Sequence, residues 1–102
     1  GIILVEDEKS VMRLWEFGYP NAVAMGNNKL KDRYWLLRQY TDVLYLAYDN
    51  DKEGKNARNE TIQEIKPLFK LYAINLSDGY KDIAEIEKKS MFDSFFRDRD
   101  LI

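Results

Sequence analysis

The chain has 102 residues, a length that suits one domain with one hydrophobic core. Its 45% hydrophobic and 33% charged content allows a buried core under a solvated surface, which excludes a disordered segment, and no apolar run is long enough to cross a bilayer. Cys and His are absent, which excludes thiol and Ser-His nucleophiles, disulfides and Cys/His zinc sites, and a formal charge of −2 gives no polycationic signature for nucleic acid or membrane surfaces.

The first apolar run, Ile2–Val5, reads as a strand. Val11, Leu14, Trp15 and Gly18 then recur at three- and four-residue spacing and predict an amphipathic helix, which Gly18 and Pro20 stop. A second run at 22–25 is followed by a helix marked by Leu30, Tyr34, Leu37 and Thr41. After a third run at 43–48, Ala57, Thr61, Ile62 and Ile65 mark another helix, closed by Pro67. A fourth run lies at 71–76. Lys81, Ile83 and Ile86 predict a weaker helix, and Phe92, Phe95 and Phe96 a terminal helical turn that covers a sheet edge or docks another domain. The ending Arg97-Asp98-Arg99-Asp100 predicts a solvated, frayed tail. Tyr34, Trp35 and Tyr40 sit at helical spacing and are expected in the core rather than stacked on bases.

Short β-rich runs alternating with helical segments define an α/β class: an approximately four-stranded, mainly parallel sheet flanked by helices. No repeat, low-complexity tract or linker interrupts it, so residues 1–102 read as a single domain. With no initiator Met and a strand starting at Ile2, the domain is expected to come from a longer polypeptide. Ile2–Val5 is too short for a signal-peptide core and runs straight into acids, so a cytoplasmic setting is the default.

Parallel crossovers bring functional groups to the carboxyl ends of strands. Glu6, Asp7 and Glu8 follow the first strand, and Asp49 and Asp51 follow the third within Tyr48-Asp49-Asn50-Asp51-Lys52-Glu53-Gly54. Acids more than forty positions apart would thus meet on one edge. Such a cluster suits a hard divalent cation, which relieves the repulsion among its ligands. The alternative is that Asp7 and Asp51 are ordinary helix N-caps, whereas Glu6 and Asp49, at the tips of the two most apolar strands, favour a functional role. Lys52, Lys55 and Arg58 open the third helix, where amides and the helix dipole also attract anions. They are candidates to hold phosphates; for Arg58 a solvated helix face is the preferred reading.

Four segments, in order, carry a family resemblance: Ile3-Leu4-Val5-Glu6; Gly18-Tyr19-Pro20-Asn21-Ala22-Val23-Ala24-Met25-Gly26; Leu44-Tyr45-Leu46-Ala47-Tyr48-Asp49-Asn50-Asp51-Lys52-Glu53-Gly54-Lys55-Asn56-Ala57; and Gly79-Tyr80-Lys81-Asp82. Over positions 2 to 87 the chain resembles the Toprim domain shared by primases, type IA and II topoisomerases and some nucleases. The second and fourth segments resemble the DnaG-type primases of bacteria and phages in particular. The resemblance implies a Toprim (Rossmann-like) fold with Glu6 as the catalytic general acid or base. It implies Mg²⁺ or Mn²⁺ held by Asp49, Asp51 and Asp82 together with Glu6, and phosphate or nucleic-acid contacts from Lys52, Lys55 and Lys81. The implied reaction is RNA primer synthesis in DNA replication. Its expected partners are nucleoside triphosphates, a single-stranded DNA template, other domains of the parent protein and a replicative helicase, with no membrane. An isolated domain is expected to make few primers or none, since it has no zinc-binding template module and no strongly basic surface.

Three positions depart from the family pattern. Asp7 stands where Gly usually follows the glutamate, Ser10 where many primases carry a further acid, and Ala84 where a second acid follows Lys81-Asp82. They leave Glu6, Asp49 and Asp51 intact but bear on how many metal ions bind. Three rivals share parts of this pattern. A Toprim nuclease would use the same acids, and a non-catalytic module would keep only the fold. A response-regulator receiver domain also ends its first strand in an acidic pair and its third in an Asp, but requires a fifth strand followed by Lys, and no apolar run beyond Leu76 supplies one.

Overall fold

The computed structural model describes residues 1–24, 34–77 and 79–102. The elements are β1 (Ile2–Val5), α1 (Glu8–Glu16), β2 (Ala22–Ala24), α2 (Tyr34–Arg38), β3 (Val43–Leu46), α3 (Lys52–Ile65), β4 (Lys70–Ala73), a 3₁₀ turn (Ile83–Glu85), α4 (Lys89–Arg97) and β5 (Asp100–Leu101). They form one sheet in the order β2-β1-β3-β4-β5, parallel through β4 and closed by an antiparallel β5. The mainly parallel α/β sheet expected from the alternation is present, with a fifth strand added.

β1 lies inside the sheet between β2 and β3, and Ile3, Leu4 and Val5 are wholly buried because helices cover both sheet faces. Strand alternation splits them. Ile3 and Val5 join Leu14 of α1, Ile83, Ile86 and Phe92 on one face, while Leu4 joins Leu44, Leu46, Ile65 and Leu71 on the other. Each such large apolar side chain contributes about 1.5–3 kcal/mol on burial. α1 ends as its sequence requires: Gly18 adopts φ +88°, the left-handed region, and the Tyr19 amide donates to Leu14 O at 2.8 Å. α3 stops at Ile65, ahead of Pro67.

Several elements differ from their sequence expectation. Residues 47–48 and 74–76 leave the regular ladder, although Ala47 N still donates to Leu4 O and Ile74 N to Leu46 O, both at 2.9 Å. Apolarity there reports burial, which outlasts strand geometry. The weaker helix at Lys81–Ile86 is only the 3₁₀ turn, whereas the terminal turn is the nine-residue α4, with Phe92 buried and Phe96 against Tyr45 at 4.8 Å between ring centroids. Tyr19 anchors α4 by donating its hydroxyl to Asp93 Oδ1 at 2.5 Å, and Lys89 Nζ donates to Oδ2 at 2.7 Å.

The tail is not frayed. Ile102 N donates to Leu71 O at 2.9 Å, and the Arg99 guanidinium lies over Phe96, Tyr72 and Tyr45 at 4.8, 5.1 and 5.4 Å. Alternating Arg and Asp let Arg99 turn inward onto aromatic faces while Asp98 and Asp100 stay in water. Tyr34 and Leu37 pack against the second core cluster, but Trp35 is 56% and Tyr40 80% exposed, so the core expected for these two is corrected. A five-residue α2 covers the sheet with one face only. Met25, Gly26 and Leu30 lie outside the described residues. Since β5 runs antiparallel, it does not supply the parallel fifth strand that a receiver domain requires. Among the described residues no helix is long and apolar enough to cross a membrane.

Candidate active site

Parallel pairing of β1 with β3, in which Ile2 lies beside Leu44 and Leu4 beside Leu46, brings the ends of both strands to one edge. Glu6 follows β1 directly. Its Oε1 accepts the Asp49 backbone N–H at 2.9 Å, joining residues 43 positions apart. Asp49 is the electrostatic focus of the edge. Burial pushes its carboxyl up to about 7, helped by the negative charges of Glu6, Asp82, Asp7 and Asp51. Glu6 is also raised, chiefly by burial and further by Asp51, Asp7 and Glu53, against the opposing pull of the Asp49 amide.

The three remaining aspartates, Asp7, Asp51 and Asp82, are N-caps. Asp7 Oδ1 accepts from Ser10 N at 2.8 Å, Asp51 Oδ1 from Gly54 N at 2.6 Å and Asp82 Oδ1 from Glu85 N at 3.1 Å. The capping alternative therefore holds for Asp7 and Asp51, and extends to Asp82. It does not exclude a ligand role, because each cap occupies one carboxylate oxygen and a carboxylate has two. Among the described residues, no three acids are already gathered into a closed ligand set. Glu6, Asp7, Asp51 and Asp82, whose charges act on Asp49, offer hard carboxylate oxygens of the kind a divalent cation such as Mg²⁺ takes.

The basic candidates divide. Lys55 and Arg58 line a cleft of about 310 Å³ together with Tyr48, Asp49, Asn50 and Asn75. Arg58 is less free than a solvated helix face implies, since its Nη1 donates to Asn75 Oδ1 at 3.1 Å, while Asn75 Nδ2 donates to Asp100 at 2.9 Å. Lys52, directly after Asp51, and Lys81, directly before Asp82, are exposed. At the departures, Ser10 is buried, and Ala84 offers its carbonyl to Arg13 Nη2 at 3.3 Å. Neither adds a carboxylate to the edge.

Two residues of the edge were not legible as contributors. Gly54, in the first turn of α3, has no room for a side chain: a Cβ there would lie 2.8 Å from both the Asp49 carbonyl carbon and Glu6 Oε1. Asn50, between the two aspartates, hydrogen-bonds the segment after β4 through both its backbone and its side chain. The signal for Asn50 was its place beside the acids, and for Gly54 its place as the glycine that trails the two aspartates in the Toprim-like segment.

A Toprim-like family model matches residues 3–86. A DNA primase of Aquifex aeolicus (strain VF5) is 31% identical over 80 residues, covering 76% of this chain and 16% of the relative. Among solved structures, the Aquifex aeolicus primase (zinc binding and RNA polymerase domains) superposes with a TM-score of 0.86 at 26% identity, covering 99% of this chain and 26% of that one. A DnaG primase catalytic domain bound to ssDNA gives 0.81 at 25% identity, covering 98% and 34%. A DNA primase domain from Pseudomonas aeruginosa gives 0.86 at 19% identity, covering 98% and 34%, a likeness of fold alone. The chain thus spans a small part of the curated relative and at most 34% of these solved chains.

Proposed function

The chain belongs to the Toprim-like family and resembles the Toprim domain of DnaG-type primases; from this premise we propose that it is the catalytic Toprim domain of a DNA primase. Its reaction is metal-dependent nucleotidyl transfer that builds RNA primers in DNA replication. The observation that carries this reading is the meeting of Glu6 and Asp49 at one sheet edge, with Asp51 and Asp82 close enough for their charges to act on Asp49.

Asp49, Asp51, Asp82 and Glu6 are the residues that would hold Mg²⁺ or Mn²⁺. Such an ion, when bound, neutralises phosphate charge and acidifies an attacking hydroxyl. Glu6 is suited to proton transfer, because burial raises its proton affinity while the Asp49 amide holds Oε1, leaving Oε2 to take or give a proton. Lys55, beside Asp49 in the cleft, and exposed Lys52 and Lys81 offer cations to substrate phosphates.

The substrates on this reading are nucleoside triphosphates and a single-stranded DNA template; one similar structure is a DnaG catalytic domain bound to ssDNA. The chain's small share of its primase relatives supports a parent protein with further domains, which would grip the template and meet a replicative helicase in the cytoplasm. The domain alone is then weakly active or inactive. Template-dependent ribonucleotide incorporation by the full-length parent tests the reading: Glu6→Gln lowers it by about 10²-fold or more, and wild-type incorporation by that variant overturns the role of Glu6. Mn²⁺ titration of wild type and Asp49→Asn tests the metal, which unchanged affinity would remove from the account.

A further inference from the structure

Asn50 stands between Asp49 and Asp51, and its own polar groups reach across to the segment after β4. Its backbone N–H donates to Lys81 O at 2.6 Å. Its side-chain Nδ2 faces three more carbonyls, Leu76 O at 3.3 Å, Ser77 O at 3.4 Å and Tyr80 O at 3.4 Å. With two hydrogens shared among three acceptors, each side-chain bond is long and individually weak. Their value lies in what they join. Leu76 and Ser77 leave the region of β4, while Tyr80 and Lys81 lead into the Asp82 cap, so one side chain and one amide tie both ends of the connection to the tip of β3.

Asp82 has no side-chain bond to the acids of β1 or β3 among those observed; its Oδ1 is committed to Glu85 N. Its charge nonetheless acts on Asp49. Within the bonds that cross from β3 to this connection, Asn50 is the residue that sets that proximity. We infer that Asn50 is a positioning residue that latches Leu76, Ser77, Tyr80 and Lys81 against the end of β3 and thereby delivers Asp82 to the metal-binding edge. The inference rests on the metal-binding reading given above for that edge.

An amide is needed here for a chemical reason. A carboxylate at position 50 would point an acceptor at three carbonyl oxygens and add a negative charge between two others, whereas glycine would keep the backbone bond and lose the side-chain latch.

Two measurements on the folded chain test the latch, each on wild type, Asn50→Gly and Asn50→Asp. Without metal, amide hydrogen exchange of residue 50 and of the Ile83–Glu85 turn should quicken in both variants by about tenfold or more, while α1 and β1 keep their protection. Unchanged exchange overturns the latch, whatever the metal does. With Mn²⁺, Asn50→Gly should weaken binding by about tenfold, as loss of an outer-shell support does. Paired with Asp82→Asn in a double-mutant cycle, it should cost nothing further. Full additivity would mean that Asn50 does not act through Asp82 and would overturn the inference. Quickened exchange in the variants, together with no Mn²⁺ binding by wild type, would leave the latch standing and remove the metal reading alone.

Discussion

Gly54 and Asp49 touch backbone to backbone at the point where α3 begins. A Cβ on Gly54 would press into the Asp49 carbonyl group and lie 2.8 Å from Glu6 Oε1. The first turn of α3 is thus drawn onto the tip of β3, which lets Asp51 cap the helix through the Gly54 amide while staying near Asp49 and Glu6. A glycine that would weaken most helices is required here by close approach.

Gly54→Ala therefore sets two effects against each other. Alanine gains about 1 kcal/mol in helix propensity, but the overlap with backbone and the half-buried Glu6 carboxylate costs about 1–3 kcal/mol beyond that. The expected result is a lower urea midpoint together with weaker Mn²⁺ binding. Gly79→Ala is the control, because a Cβ there meets nothing within 4 Å. Equal midpoints for the two variants would show that α3 shifts freely and that the contact does not hold the edge together.

The raised carboxyl of Asp49 makes metal-free stability depend on pH. With a folded value of about 7 against 3.8, the folded protein holds this proton more tightly than the unfolded chain. Its contribution is present below about pH 4 and is lost as pH rises through 7. In chelator at pH 8, Asp49→Asn should be more stable than wild type by about 1 kcal/mol after allowance for solvent screening, a difference that closes toward pH 4. Mn²⁺ at a hundredfold excess over its Kd should reverse the order by stabilising wild type by about 2.7 kcal/mol. Thermal melts across pH, with and without metal, measure both. A pH-independent difference would place the cost of Asp49 in packing rather than charge.

Arg99 ties down the C-terminal strand. Removing a guanidinium stacked on three rings by Arg99→Ala should cost about 2 kcal/mol. Arg99→Lys should recover less than half of that, since an ammonium has no flat face to lay on the rings. Thermal denaturation reads the energy, and exchange of the Ile102 amide, bonded to Leu71 O, reads the local order. A solvated tail would leave both unchanged.

The path from sequence to site was uneven for physical reasons. Glu6 and Asp49 were legible because strand runs with parallel crossovers oblige their ends to share an edge, and that edge is where Glu6 Oε1 meets the Asp49 amide. Asp7 and Asp51 were legible twice over, as caps and as acids, and they are caps whose charges also act on Asp49. Asn50 and Gly54 stand beside the acids in the chain, where nothing local announces their roles. A latch needs its acceptors, and a close approach needs its neighbour; Leu76, Tyr80 and Asp49 became neighbours only on folding. The role of Arg99 is hidden for the same reason, since a charge run reads as solvated until aromatic faces are set beneath it.

The sequence by itself determined the chemistry open to this protein: without Cys or His, a divalent cation on carboxylates at the carboxyl ends of β1 and β3 was the natural candidate. It also determined the parallel α/β order, because hydrophobic period and chain connectivity are local properties that survive without tertiary contacts. Only the tertiary structure decided how the acids divide their oxygens between helix caps and the shared edge, which glycine has to be a glycine, and how the Asp82 segment is tied to β3. Those are matters of a few ångströms between residues distant in the chain, and packing alone sets such distances.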